Sequence, residues 1–180
     1  MKARFTIITF LCILCFHISF SQQKITIDDI WSKYVFLGGS VEGFSSMKDG
    51  EHYSAIDEDA SGNSNYLVYS YQTGKVTDTI ALGKNLIPAD SSKAIQPGDY
   101  KLSEDETKVL FSTAPERIYR HSARYSYFVY DVKTKKLTAL SANGKQQNAD
   151  FSPDGNKIAF VRDNNLFYKD LLSGKEIQVT

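Results

Sequence analysis

Short segments in which apolar and polar residues alternate, separated by turn residues, make up the last part of the chain. Lys157 to Val161 alternates in this way and follows Asp154-Gly155, a pair typical of a hairpin turn because glycine tolerates a positive φ angle. Asn164-Asn165 and Ser173-Gly174-Lys175 mark the next two turns. No stretch has the helical period of 3.6 residues, so the pattern predicts four short strands joined by tight turns.

The turn and the strand after it belong to an internal repeat. The block Phe-Ser-Pro-Asp-Gly-Asn-Lys-Ile-Ala-Phe at 151–160 aligns without a gap with Leu-Ser-Glu-Asp-Glu-Thr-Lys-Val-Leu-Phe at 102–111, and a weaker copy begins at Met47. A strand that ends in a second turn follows each copy. A four-stranded unit repeated every 40–50 residues or so is typical of β-propeller blades. An antiparallel sandwich is the alternative, but it does not explain the matched blocks.

The predicted fold is therefore all-β, with about three four-stranded antiparallel blades of a β-propeller. Closed propellers typically have 4–8 blades, so we expect residues 22–180 to form the N-terminal part of an incomplete propeller domain. Two segments lie outside the repeat. Ile27 to Trp31 is predicted to start a short helix with Asp28 as its N-cap, and residues 84–99 are predicted to form an irregular loop.

The first residues are typical of a secretory signal peptide. Lys2 and Arg4 precede an apolar run from Phe5 to Phe20, and Ser19-Phe20-Ser21 offers small residues at the two positions that a signal peptidase reads. A retained membrane anchor is the alternative, but the run is shorter than the ~20 residues of a membrane span. We therefore predict a cleaved signal peptide at 1–21. The remaining chain has no cysteine, so we expect a secreted or periplasmic protein, in a bacterial envelope.

Composition and motifs exclude several kinds of function. Lys and Arg together number 21, and so do Asp and Glu, so the formal net charge is zero. The composition therefore gives no indication of a basic surface that binds nucleic acid. After residue 21 the histidines are His52 and His121, which leaves little material for a metal site. Gly-x-Ser-x-Gly and phosphate-binding glycine motifs are absent from the sequence. We expect no cofactor, no metal and no catalytic residue in this chain.

One cluster of charged residues has candidate chemistry. Residues 116–125 contain three arginines and His121, between strands predicted at Lys108–Thr113 and Tyr125–Val132. The cluster is either a solvated basic loop or a place where an arginine is directed at a carbonyl or carboxylate. A planar guanidinium suits the second role because its donors are fixed in geometry.

Three blocks of the sequence resemble the propeller of dipeptidyl peptidase IV enzymes. Tyr119-Arg120-His121-Ser122, followed by the aromatic-rich stretch Tyr125 to Asp131, resembles the arginine-bearing segment of that propeller. Ile25 to Ile30 resembles the opening of the mature chain in that family. Residues 151–161, followed by Asn165-Leu166-Phe167, resemble its next blade. The resemblance covers residues 24–180.

This resemblance implies a function for the arginine cluster. Members of the family join an N-terminal propeller to a C-terminal α/β-hydrolase domain and remove N-terminal dipeptides with Pro or Ala in second place. A homodimer is a further expectation for the full-length protein. The matching arginine, Arg120, would bind a substrate carbonyl, and His121 beside it is the second candidate substrate-binding residue. The amine-binding glutamates and the Ser-Asp-His triad would follow Thr180, so the hydrolase domain would be absent from this chain.

Three functions stay open from the sequence. The first is the propeller part of a secreted dipeptidyl-peptidase-IV-like serine exopeptidase, which gates the site and binds a carbonyl of the peptide. The second is a non-catalytic envelope propeller that binds proteins. The third is a truncated gene product without a function of its own.

Overall fold

The structure is a computed structural model that describes residues 24–38 and 43–180. The predicted signal peptide, residues 1–21, lies outside the described residues. The chain divides into two compact units, Met1–Ser40 and Val41–Thr180, which we describe separately. In the described residues, no helix is both long enough and apolar enough to cross a membrane.

In the described part of the first unit, a short helix, α1, lies at Ile27–Trp31. Thr26 is its N-cap: the Thr26 hydroxyl accepts a hydrogen bond from the Asp29 backbone at 3.1 Å, and the Asp29 carboxylate accepts one from the Thr26 backbone at 2.9 Å. This reciprocal pair is a capping box. The helix was predicted correctly, but Asp28 as its cap was wrong. Asp28 lies within the first turn and pairs with Lys33 at 3.0 Å instead.

The second unit consists of three four-stranded antiparallel sheets, each with its strands in chain order. The first sheet contains β1 (Ser45–Ser46), β2 (His52–Glu58), β3 (Ser64–Ser70) and β4 (Val76–Ala81). The second contains β5 (Asp99–Leu102), β6 (Lys108–Tyr119), β7 (Ser122–Asp131) and β8 (Leu137–Ala139). The third contains β9 (Gln147–Phe151), β10 (Lys157–Arg162), β11 (Asn165–Asp170) and β12 (Glu176–Gln178). The prediction of an all-β fold with three four-stranded propeller blades is confirmed.

The sequence repeat is also a repeat of hydrogen bonds. In the second sheet the Ser103 hydroxyl donates to Asp105 at 2.6 Å and accepts from the Lys108 backbone at 2.9 Å. In the third sheet the Ser152 hydroxyl donates to Asp154 at 2.5 Å and accepts from the backbone of residue 157 at 2.9 Å. The serine thus closes the same turn in both sheets, which is why the Ser-x-Asp spacing is repeated.

Two apolar cores lie between successive sheets. Successive residues of a strand point to opposite faces, so β6 contributes to both cores. Val109 and Phe111 pack with residues of the first sheet, Tyr66 among them, whereas Leu110 packs with residues of the third sheet such as Phe160. All five side chains are buried. This two-sided burial stacks the sheets face to face, as propeller blades require.

The connection from the first sheet to the second is irregular, as predicted. A short 3₁₀ turn, Gly83–Asn85, begins it, and no strand follows until Asp99. Leu86 anchors the connection because it is fully buried in the first core. The segment brings the chain to β5, which forms part of the cleft described next.

Candidate functional site

Strands β6 and β7 extend well beyond the rest of their sheet as a hairpin. They pair up to Tyr119 and Ser122, so that Arg120-His121 forms the two-residue turn at the tip. We call residues 115–124 the arm. The predicted strand bounds, Lys108–Thr113 and Tyr125–Val132, are therefore wrong at the arm: both strands continue through the segment between them. The sequence did not indicate them because both faces of the arm are largely exposed and lack an apolar alternation.

An irregularity in the pairing marks the base of the arm. Thr113 pairs with Ser126, but the next pair is Glu116 with Arg124, so two residues of β6 lie opposite one residue of β7. The extra residue is accommodated at Ala114, whose φ is +50°, next to Pro115. A bulge of this kind bends a strand and changes its direction. It also tolerates Pro115, which has no backbone N–H for the ladder.

A cleft of about 560 Å³ lies beside the arm. The arm lines it from Pro115 to the tip, and both predicted site residues, Arg120 and His121, are among the lining residues. The remaining walls come from β5 and the residue before it, from β6 and β7 outside the arm, and from Ala149 of β9. The structure thus brings the two predicted residues together with residues of two sheets.

The strand register assigns the side chains of the arm to two faces. Cross-strand partners share a face, and Arg117 pairs with Ala123 while Glu116 pairs with Arg124. Arg117 and Ala123 line the cleft, whereas Glu116 and Arg124 do not. On the face away from the cleft, Arg124 contacts Glu116 at 3.4 Å, and Lys145 lies 3.6 Å from the other oxygen of the same carboxylate.

The arm is also attached to the segment that leads into the third sheet. The backbone of Tyr125 exchanges two hydrogen bonds with that of Gln146, of 2.8 and 2.9 Å. Gln146 is buried, so this bridge is shielded from water. At the base of the arm, β7 therefore lies between β6 on one side and residues 145–146 on the other.

Tyrosines form the apolar part of the cleft. Tyr100 of β5 and Tyr125 and Tyr127 of β7 all line it, and the last two rings lie 5.7 Å apart. Burial raises the pKa of Tyr100 and of Tyr127, so both phenols stay neutral at physiological pH. The Tyr100 ring packs against Tyr66 and its hydroxyl bonds to Ser54 and Gly43, so the stacking surface for a ligand, which carries no charge, comes from Tyr125 and Tyr127.

Sequence reasoning missed three lining residues with chemistry. Arg117 belonged to the predicted cluster, but the sequence did not show that Arg117 faces the cleft while Arg124 faces the other way. Only the strand register distinguishes these two arginines. Asp99 and Tyr100 reach the cleft because β5 pairs with β6, and nothing in their local sequence pattern indicates a site.

Other candidate chemistry in the described residues is structural. His52 forms a hydrogen bond of 2.6 Å with Asp49, whose other oxygen accepts from two backbone N–H groups of the same turn. This pair closes the turn before β2 and does not line the cleft. In residues 24–38 and 43–180, no group of three or more His, Cys, Asp or Glu side chains is arranged to hold a metal ion.

Three four-stranded sheets stacked face to face, with a cleft lined by arginines and tyrosines beside a projecting hairpin, define part of a propeller domain. Residues 103–180 match the family model described as the dipeptidyl peptidase IV N-terminal region. The chain is an N-terminal propeller region of the dipeptidyl peptidase IV family, as its three sequence blocks predicted.

Individual relatives agree with this assignment. The probable dipeptidyl-aminopeptidase B of Emericella nidulans is 31% identical over 89% of this chain and 18% of its own. The probable dipeptidyl peptidase 4 of Aspergillus fumigatus is 35% identical over 71% of this chain and 15% of its own. The crystal structure of Porphyromonas gingivalis dipeptidyl peptidase 4 superposes with a TM-score of 0.72 at 34% identity, covering 88% of this chain and 22% of that one.

The chain spans less than a fifth of the length of the curated relatives named here. The predicted location in a bacterial envelope is wrong on this comparison, because the curated relatives are fungal dipeptidyl-aminopeptidases.

Proposed function

We propose that this chain forms part of the substrate-binding wall of a dipeptidyl peptidase, in which Arg120 binds a carbonyl of the peptide. His121, beside it at the tip of the arm, contributes a second polar contact to the same peptide. The complete protein would remove dipeptides from peptide N-termini, with Pro or Ala in second place, and its propeller would limit access to the site. The catalytic residues would belong to a hydrolase domain outside this chain, and the predicted homodimer stays a prediction.

The observation that carries this proposal is the position of Arg120. It lies at the turn of a hairpin that lines a cleft, and none of the ion pairs formed by the described residues involves it. A guanidinium presents five N–H donors in a rigid plane. Held on paired strands and without a carboxylate partner in the described residues, that plane is available for peptide oxygens.

The surroundings of Arg120 support a peptide as the ligand. A peptide in extended conformation presents carbonyl oxygens and N–H groups along its length, together with apolar side chains. The cleft combines donors on the arm with the rings of Tyr125 and Tyr127, so both kinds of group meet a partner. The names of the relatives, dipeptidyl-aminopeptidase B and dipeptidyl peptidase 4, agree with a substrate of this class.

The test compares two arginines of the same arm in the protein expressed from the complete open reading frame. Release of dipeptide from an Ala-Pro arylamide is measured for the wild type, Arg120→Ala and Arg124→Ala. Loss of a charge-assisted hydrogen bond should lower kcat/KM about 10- to 100-fold in Arg120→Ala. Arg124→Ala, on the face away from the cleft, should retain wild-type kinetics. A wild type without activity, or an Arg120→Ala variant with unchanged kcat/KM, would refute the proposal.

A further inference from the structure

We propose that Arg117 is a specificity-determining residue, which gives the cleft a preference for peptides with an Asp or Glu side chain in the stretch that lies along the arm. This inference rests on the proposed function, because it assigns a substrate class to the same cleft. It concerns a second arginine, three residues before Arg120, on the β6 strand of the arm.

The register of the arm directs Arg117 into the cleft. Arg117 pairs with Ala123, and the two residues share the cleft face. A methyl group is the smallest side chain that an L-residue can place opposite it, so the guanidinium is not covered from across the hairpin. The adjacent acid, Glu116, lies on the other face, where it is engaged by Arg124 and Lys145.

The balance of charge in the cleft favours an anionic ligand group. Of the lining residues, Arg117, Arg120 and Lys101 are cationic and Asp99 is the acid. Lys101 is paired with Asp150 at 2.9 Å, so its charge is compensated. Two guanidiniums then face one carboxylate, and Asp99 already accepts a hydrogen bond from the backbone of Tyr100 at 2.9 Å.

The two arginines have different tasks in this arrangement. If Arg120 binds a main-chain carbonyl, one positive charge of the cleft remains without a partner in the described residues, and it belongs to Arg117. A guanidinium binds a carboxylate through two parallel hydrogen bonds, which a neutral amide of the same shape cannot fully replace. A Glu side chain in the peptide should therefore be preferred over Gln at the position that Arg117 reaches.

The experiment uses the protein from the complete open reading frame and a set of hexapeptides that begin with Ala-Pro, Glu-Pro or Gln-Pro. Glu is placed in turn at the first and at each of the third to sixth positions, with Gln at the same position as the neutral reference. The ratio of kcat/KM for Glu over Gln is measured for each pair. We expect one position at which the wild type prefers Glu about fivefold, with the ratio falling as salt is added.

Three variants decide whether Arg117 is responsible. Arg117→Gln should bring the ratio at that position to about one, and Arg117→Lys should keep part of the preference. Arg124→Gln removes a charge from the other face of the arm and should keep the full preference for Glu. Melting temperatures check that the variants are folded.

Two results would overturn the inference while leaving the proposed function intact. One is a wild type that cleaves every peptide with a ratio near one. The other is a preference for Glu that persists in Arg117→Gln. Absence of dipeptide release from all peptides of the set would instead refute the proposed function, and the inference with it.

Discussion

Lys135 and Gly174 occupy the same position in the outer turns of the second and third sheets, and both have a positive φ angle, of 59° and 71°. In each turn the backbone nitrogen of this residue donates to the carbonyl of the aspartate four positions earlier. The distances are 2.8 Å from Lys135 to Asp131 and 2.9 Å from Gly174 to Asp170. The left-handed conformation therefore belongs to the turn and is imposed on whichever residue is present.

Replacing Lys135 with glycine should stabilise the protein. A Cβ atom in the left-handed region costs about 1–2 kcal/mol, partly offset by the greater freedom of glycine in the unfolded chain, so a gain of about 0.5–1 kcal/mol is expected. The free energy of unfolding is measured with denaturant for Lys135→Gly and for the reverse change, Gly174→Lys. The second variant should be destabilised, and a loss of stability in both would contradict the equivalence of the turns.

The Tyr66 hydroxyl is a buried donor without a hydrogen-bond partner among the described residues, and burial raises its pKa. An unsatisfied buried polar group costs about 1–3 kcal/mol, so Tyr66→Phe should leave stability unchanged or raise it by about 1 kcal/mol. Tyr100→Phe is the matched control. Its hydroxyl lies 2.8 Å from the Ser54 hydroxyl and donates to Gly43 at 3.2 Å, so its removal should lower the melting temperature.

The stability of the second sheet should depend on pH through Asp105. The hydrogen bonds from Ser103 and then from Thr107 lower the pKa of Asp105 from its usual 3.8 to about 2. Because the folded protein holds the carboxylate ionised more strongly than the unfolded chain does, the stabilisation is present above pH 4 or so and is lost as the pH falls toward 2. The Asp105→Asn variant should melt below the wild type at pH 6, with the difference vanishing near pH 2. Melting curves that stay parallel across this range would contradict the assignment.

The ion pair between Arg162 and Glu176 should contribute more than the surface pairs do. Their side chains are only 10% and 18% exposed, their atoms lie 2.5 Å apart, and the guanidinium lies 4.1 Å from the centre of the Phe167 ring. Glu176→Gln leaves a largely buried cation without its carboxylate and should cost about 2–3 kcal/mol.

The exposed pair of Lys48 and Glu104 provides the control for this prediction. Removal of its acid in Glu104→Gln should change the free energy of unfolding by less than about 1 kcal/mol, because water screens exposed charges. Equal losses in Glu176→Gln and Glu104→Gln would show that burial does not distinguish the two pairs.

Turn residues and alternation, which are local signals, predicted the blades well. Asp154-Gly155 predicted a turn, and the aligned repeat indicated its counterpart after Leu102; the structure shows that the Ser152 and Ser103 hydroxyls close these turns. The turn expected at Asn164-Asn165 lies one residue earlier, at Asp163 and Asn164, which both have positive φ angles. Asn165 already belongs to β11.

The cleft required contacts that no local signal encodes. Polar residues from Glu116 onward end the apolar alternation of β6, so the sequence predicted a loop there. In the structure, the strands continue past the bulge at Ala114 and Pro115, and backbone pairing resumes at Glu116 and Arg124 although the side chains of the arm are largely exposed.

The sequence by itself determined the all-β class, the number of blades and the segment that contains Arg120, since each depends on residues close together in the chain. Only the tertiary structure decided which arginines line the cleft and which pair with Glu116 on the other face. The reason is that a shift of one residue in strand pairing moves every side chain to the opposite face, and that register is fixed by packing between sheets and by the bulge.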